Sequence, residues 1–170
     1  LGDTWTYRHE LKQWTQNGFP GDGDLCREAD SCPAPRAFAS LHQVGLDAVL
    51  LGGACDVREV AETGLGAPCA DVAWEFSLTG NRWRGMELAG PAPLGRAAHS
   101  AVANQYSVFV HGGYRGPAPP GGWTSSEVAA AAGTVWELRY FDREWVRHEP
   151  SAFVNATGHS LPEVTFPERY

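Results

Sequence analysis

Residues 91–145 decide the fold, and they read PAPLGRAAHSAVANQYSVFVHGGYRGPAPPGGWTSSEVAAAAGTVWELRYFDREW. Near the end of this stretch, Trp136 and Trp145 stand nine positions apart. The same step occurs twice earlier in the chain, between Trp5 and Trp14 and between Trp74 and Trp83. A spacing that recurs in this way indicates an internal repeat of one supersecondary unit.

A pair of glycines marks the same repeat independently. Gly112-Gly113 begins twelve positions after Ser100, and Gly52-Gly53 begins twelve positions after Ser40. Ser160 lies a further 60 positions along the chain, within Gly158-His159-Ser160. The repeat therefore has a step of about 60 residues, and a new unit is predicted to open near position 158.

Each unit is predicted to contain four β-strands. An apolar run precedes each glycine pair, and the third strand alternates, with Trp136, Leu138 and Tyr140 on one face. Turn-forming residues separate the third strand from the fourth. The predicted strands are residues 37–44, 48–51, 73–78 and 82–84 in one unit, and 97–104, 107–110, 135–140 and 144–146 in the next.

The order of these markers resembles the Kelch repeat: Pro-x-Pro-Arg, then His-Ser, Gly-Gly, Trp-x-Phe and a last Trp. The resemblance implies an all-β fold of four-stranded antiparallel blades from a β-propeller. Kelch repeats are about 50 residues long, so the units in this chain carry insertions. The pattern departs from the family at Ala39, where the next unit has His99, and at Ala156, where earlier units have Arg36 and Arg96.

The repeat divides the chain into four segments. We expect residues 1–14 to end a first blade, 33–83 and 91–145 to form a second and a third, and 150–170 to start a further blade or leave the propeller. Propellers need about four to eight blades. The ring is therefore expected to be incomplete and unstable alone, with other protein chains or the rest of the same polypeptide completing it.

The resemblance also places the insertions 15–32, 54–70 and 114–133 on one common face. The first two contain all four cysteines, and pairing of Cys26 with Cys32 and of Cys55 with Cys69 is favoured among three connectivities. A zinc site competes with this interpretation, although no Cys-x₂-Cys pair is present. Disulfides and the glycosylation sequon at Asn155 favour an extracellular or cell-surface protein, with a cytoplasmic assembly as the alternative.

The candidate binding residues lie in these insertions. Trp123 and Arg115 belong to the longest one, where a tryptophan on a proline-rich loop would suit a contact anchor. Asp22 and Asp24 could bind calcium, but an ordinary acidic turn explains them better because the EF-hand order is absent. His99 and another repeat-position histidine, His111, are expected to be structural and to hydrogen-bond within their blades.

Composition narrows the function. The net charge of −7 argues against nucleic acid as a partner, and no apolar run is long enough to span a membrane. No metal or cofactor is predicted. The expected function is a protein- or glycan-binding scaffold. The alternative is part of a Kelch-propeller enzyme, such as a copper radical oxidase similar to galactose oxidase, which would need two Tyr and two His side chains to converge.

Overall fold

The computed structural model describes residues 4–17, 32–55, 67–69, 73–93, 95–114 and 134–148. Within these ranges the chain forms β-strands and no helix. In particular, no helix with the length and apolarity needed to cross a membrane occurs there. The strands are β1 (Thr4–Arg8), β2 (Gln13–Asn17), β3 (Ser40–Val44), β4 (Asp47–Leu51), β5 (Ala73–Ser77), β6 (Arg82–Gly85), β7 (Ser100–Ala103), β8 (Ser107–His111), β9 (Val135–Arg139) and β10 (Glu144–His148).

These strands form three antiparallel sheets. The first sheet is the hairpin β1–β2, the second has the order β3-β4-β5-β6, and the third has the order β7-β8-β9-β10. The two larger sheets share one register, since Leu50 lies opposite Trp74 and Val110 lies opposite Trp136. For the described residues, the prediction of an all-β fold with four-stranded antiparallel sheets is therefore confirmed in the two larger sheets.

The hairpin turns repeat a backbone detail in all three sheets. The residue two positions before the second tryptophan has a positive φ in each case: 53° at Lys12, 50° at Asn81 and 55° at Arg143. This left-handed conformation is uncommon outside glycine and is typical of tight turns. The nine-residue tryptophan spacing therefore corresponds to one kind of hairpin, used three times.

The first strand of each unit is shorter than the sequence predicts. The sequence predicts that these strands begin at positions 37 and 97, but in the structure they begin at Ser40 and Ser100. Phe38 and Ala98 have φ values of 57° and 52°, and this left-handed backbone interrupts the extended ladder. The third strand likewise ends at Ser77, so the Leu78 side chain that was expected to continue its alternation lies in the turn.

The main hydrophobic core lies between the second and third sheets. Its buried side chains come from one face of each sheet: Val44, Val49, Leu51 and Ala73 from the second, and Val108, Val110, Leu138, Tyr140 and Trp145 from the third. Burying a large apolar side chain contributes about 1.5–3 kcal/mol. This shared core holds the two sheets face to face.

The tryptophans differ in burial. Trp74 is 7% exposed, whereas Trp136 is partly buried and packs against the main core. Its ring centroid lies 5.8 Å from the Arg147 guanidinium carbon. Trp83 donates a 3.0 Å hydrogen bond to the Thr4 hydroxyl, which joins the first sheet to the second.

Candidate binding face at the loop end of the sheets

The long insertions leave the two larger sheets at the same end. In both sheets the connection from the second strand to the third spans an insertion, from Leu51 to Ala73 and from His111 to Val135. The other two connections within each sheet are tight turns, and in an antiparallel meander they lie at the opposite end. We call these two ends the loop end and the turn end.

A disulfide closes the base of the insertion in the second sheet. Cys55 and Cys69 are bonded, with sulfurs 2.06 Å apart, which confirms that predicted pair. The backbone supports the same closure, because the Cys55 N–H donates to the Ala67 carbonyl at 3.0 Å and the Cys69 N–H donates to the Gly53 carbonyl at 2.8 Å. The insertion is therefore tied to the sheet where it leaves and where it returns.

Of the other predicted disulfide pair, the structure describes one cysteine. Cys32 is disulfide-bonded, but Cys26 lies outside the described residues, so its pairing with Cys32 stays a prediction.

An arginine anchors the glycine pair in each larger sheet. Arg36 donates to the Gly52 carbonyl, and Arg96 donates to the Gly112 carbonyl, both at 3.0 Å. Between the sheets, the Gly53 N–H donates to the Arg96 carbonyl at 2.8 Å. A side chain at Gly52 (φ 56°) would collide with that carbonyl, so the close backbone approach requires glycine at this position.

His99 connects two sheets rather than one. Its Nε2 lies 2.7 Å from the hydroxyl oxygen of Ser40, which belongs to the second sheet. The expectation of a structural His99 bonded within its own blade missed this contact, which arises because the residue lies just before β7 and faces the neighbouring sheet. Burial lowers the pKa of His99, and the charges of Arg96 and His42 lower it further. The imidazole is accordingly favoured in its neutral form at neutral pH.

A second polar junction, which sequence reasoning missed, lies near the turn end. The Tyr140 hydroxyl is 2.7 Å from the Asp47 carboxylate and 2.9 Å from Glu75, so two carboxylates share its single proton. Arg143 forms a 2.8 Å ion pair with Glu75. Burial raises the pKa of Tyr140, and its hydrogen bonds to Asp47 and Glu75 raise it further, so Tyr140 stays a neutral donor.

Glu137 in the third sheet is the structural counterpart of Glu75 in the second. Its carboxylate accepts from the Ser107 hydroxyl at 2.8 Å and lies 2.9 Å from His148 Nε2. Burial alone would raise the pKa of Glu137. The bonds from Ser107 and His148 and the charge of Arg139 outweigh that effect and lower the pKa.

The predicted loop residues are not placed by this structure. Trp123, Arg115, Asp22, Asp24 and the sequon asparagine, Asn155, all lie outside the described residues. His111 is exposed at the end of β8. In the part of the chain that the structure describes, no group of three or more His, Cys, Asp or Glu side chains is arranged to hold a metal ion.

Compared with models of known protein families and with curated proteins, the chain shows no match.

Proposed function

We propose that this chain is a section of a Kelch-type β-propeller that acts as a binding scaffold, with the insertions at its loop end contacting a partner protein or glycan. The observation that carries the proposal is the repetition of one four-stranded sheet with its insertion at the same end each time. A rigid frame that presents variable loops is a common design for recognition.

The contacts between the second and third sheets form a pattern that a further sheet could repeat against the third. The third sheet contributes the Arg96 carbonyl, His99 and Tyr140, and these bind the Gly53 N–H, Ser40 and the Asp47–Glu75 pair of the second sheet. Stacked repeats of this kind derive much of their stability from such nearest-neighbour interfaces.

The outer face of the third sheet carries the counterparts of the second-sheet residues that take part in these contacts. Ser100, the counterpart of Ser40, is exposed, and Val102 on the same face is 64% exposed. At Gly112, the counterpart of Gly52, no atom of the described residues lies within 4 Å of the position that a Cβ would occupy. These features favour a further sheet of the same type packing here, as the propeller proposal requires.

The Cys55–Cys69 disulfide supports a role outside the reducing interior of a cell. We therefore propose that the protein acts outside the cell or at its surface, with a cytoplasmic assembly as the alternative. A disulfide at the base of a binding loop also restricts the loop before a partner arrives, which reduces the entropy lost on binding.

The binding proposal is tested by altering the loop end alone. A partner is first identified by chemical cross-linking and mass spectrometry on the full chain, and its affinity is measured by calorimetry. Replacing residues 116–132 with a short Gly-Ser linker, or Trp123 with Ala, is expected to weaken that affinity. The turn-end variant Leu46→Ala is the control, since Leu46 is 72% exposed at the end away from the loops. Equal affinity in loop and control variants would contradict the proposal.

Metal analysis of the purified protein separates scaffold from enzyme. The scaffold proposal predicts no stoichiometric copper, whereas one copper per chain would support the oxidase alternative.

A further inference from the structure

The turn end contains a pocket that the loop-end function does not use. It lies between the β3–β4, β7–β8 and β9–β10 turns and has a volume of about 540 Å³. It is an open depression in the surface rather than an enclosed cavity. The residues that line it include Gln43, Gly45, Asn104, Gln105, Tyr106 and Phe141.

Two exposed aromatic rings form part of its wall. Tyr106 is 65% exposed and Phe141 is 63% exposed, and their ring centroids are 6.3 Å apart in an edge-on arrangement. Large aromatic side chains usually lose most of their exposure on folding, and an exposed cluster of them marks an interaction surface.

Backbone and side-chain bonds hold Tyr106 in place without a ligand. The Asn104 side-chain oxygen accepts the N–H groups of Tyr106 and Ser107, both at 2.8 Å. The Tyr106 carbonyl accepts the Tyr140 N–H at 2.9 Å. The turn that carries the Tyr106 ring is therefore fixed at both sides.

Phe141 is held by its neighbours in the same way. It follows Tyr140 and precedes Arg143 by two positions, and both residues are bonded to Glu75 of the second sheet. Its ring also lies close to Gly45, where a Cβ would be 3.5 Å from the ring edge. A pocket whose walls are set in advance loses less entropy when it binds a ligand.

The described residues of the lining are aromatic and amide-rich, and none of them carries a charged side chain. Amide groups both donate and accept hydrogen bonds, as sugar hydroxyls do. The negative faces of the aromatic rings attract weakly positive C–H groups, which pyranose rings present. Among the described lining residues, a phosphate or a carboxylate would find no cationic side chain to pair with.

We propose that the turn-end pocket binds a neutral saccharide, with a pyranose ring against Tyr106 or Phe141 and its hydroxyls bonded to the Gln43 amide oxygen, the Asn104 amide nitrogen and Gln105. The saccharide is either a free oligosaccharide or the neutral glycan of a glycoprotein. This site lies at the opposite end from the insertions and is independent of the partner proposed for them.

The test is a titration of the full chain with neutral trisaccharides of glucose, galactose and mannose, followed by NMR and calorimetry. Saturable binding of at least one trisaccharide is expected. Tyr106→Ala and Phe141→Ala should each weaken it by about tenfold or more, as for other aromatic anchors. Tyr106→Phe keeps the ring and should retain most of the affinity. A glycoprotein compared with its deglycosylated form distinguishes an attached glycan from a free sugar.

Phe38→Ala is the matched control, because it removes an exposed phenyl ring at the other end of β3. Alanine is compatible with that backbone, since Ala98 has the same left-handed conformation in the next unit. If an alanine variant misfolds by circular dichroism, Gln105→Ala replaces it and should also weaken the binding.

Three results would overturn the proposal: no binding of any trisaccharide by folded protein, equal loss in Phe38→Ala, or binding of peptides instead of saccharides. Deleting residues 116–132 should leave saccharide binding unchanged. The loop-end proposal and the pocket proposal can therefore fail separately.

Discussion

Tyr140 joins the two larger sheets near the turn end. Its hydroxyl is buried between Asp47 and Glu75, so removing it leaves both carboxylates without this donor. Tyr140→Phe is expected to lower the free energy of unfolding by about 1.5–3 kcal/mol, the usual range for a hydrogen bond to a charged group. Urea denaturation measures this change. Tyr7→Phe, at an exposed tyrosine, should change it by less than about 0.5 kcal/mol; equal effects would contradict the assignment.

His99 makes the contact between the two larger sheets at the loop end sensitive to pH. Its pKa is lowered from the ordinary value of 6.5, so the folded protein takes up the proton less readily than the unfolded chain. The stabilising contribution of His99 should therefore be fully present above about pH 6.5, and the free energy of unfolding should fall as the pH drops below that value. His42, whose pKa burial also lowers, acts in the same direction.

The check is a series of denaturation curves between about pH 7.5 and 5.5, the range in which histidine titrates. His99→Gln should flatten the dependence, whereas His9→Gln, in an exposed turn, should leave it intact. An unchanged slope in His99→Gln would show that this histidine does not couple the junction to pH.

The tryptophan hairpin occurs in all three sheets, but its tryptophans contribute unequally to the stability of the fold. Trp74→Ala should cost about 3–5 kcal/mol, as for other buried aromatic residues. Trp136→Ala should cost less because that ring is partly exposed, and Trp14→Ala, at 65% exposure, should cost least. Chemical denaturation of the three variants gives the order. A cost below about 1 kcal/mol for Trp74→Ala would contradict its place in the core.

The insertion after β4 is stabilised by its disulfide. Cys55 and Cys69 are 14 positions apart, and closing a loop of about 15 residues contributes about 3 kcal/mol by restricting the unfolded chain. The Cys55→Ser/Cys69→Ser double variant should lose stability of that order. Peptide mapping without reduction should recover Cys55–Cys69 and Cys26–Cys32. Free thiols in unreduced protein would instead remove the argument for an oxidising compartment.

The strands could be predicted because their signals are local. The spacing of Trp74 from Trp83 and the alternation around Trp136 come from the geometry of a single hairpin. The junctions could not be predicted, since Ser40 and His99 are 59 positions apart and Asp47 and Tyr140 are 93 apart. No periodicity encodes such pairs; they follow only from how two sheets stack. The pocket at Tyr106 was missed for the same reason.

At the scale of the whole molecule, the two ends of the sheets are chemically distinct. The loop end combines long insertions with a disulfide and backbone contacts through Gly52 and Gly53. The turn end has short turns and a neutral aromatic pocket around Phe141. Under the two proposals, the loop end binds a protein or glycan partner and the turn end binds a saccharide.

The central claim is that these sheets are successive blades of one ring. A crystal structure of the polypeptide that contains these residues tests it most directly. The claim predicts about four to eight radially arranged sheets, with β3 and β7 nearest the central axis and a further sheet against Ser100 and Glu137. A structure in which the second and third sheets form a closed two-sheet sandwich, with Ser100 facing solvent, would contradict it.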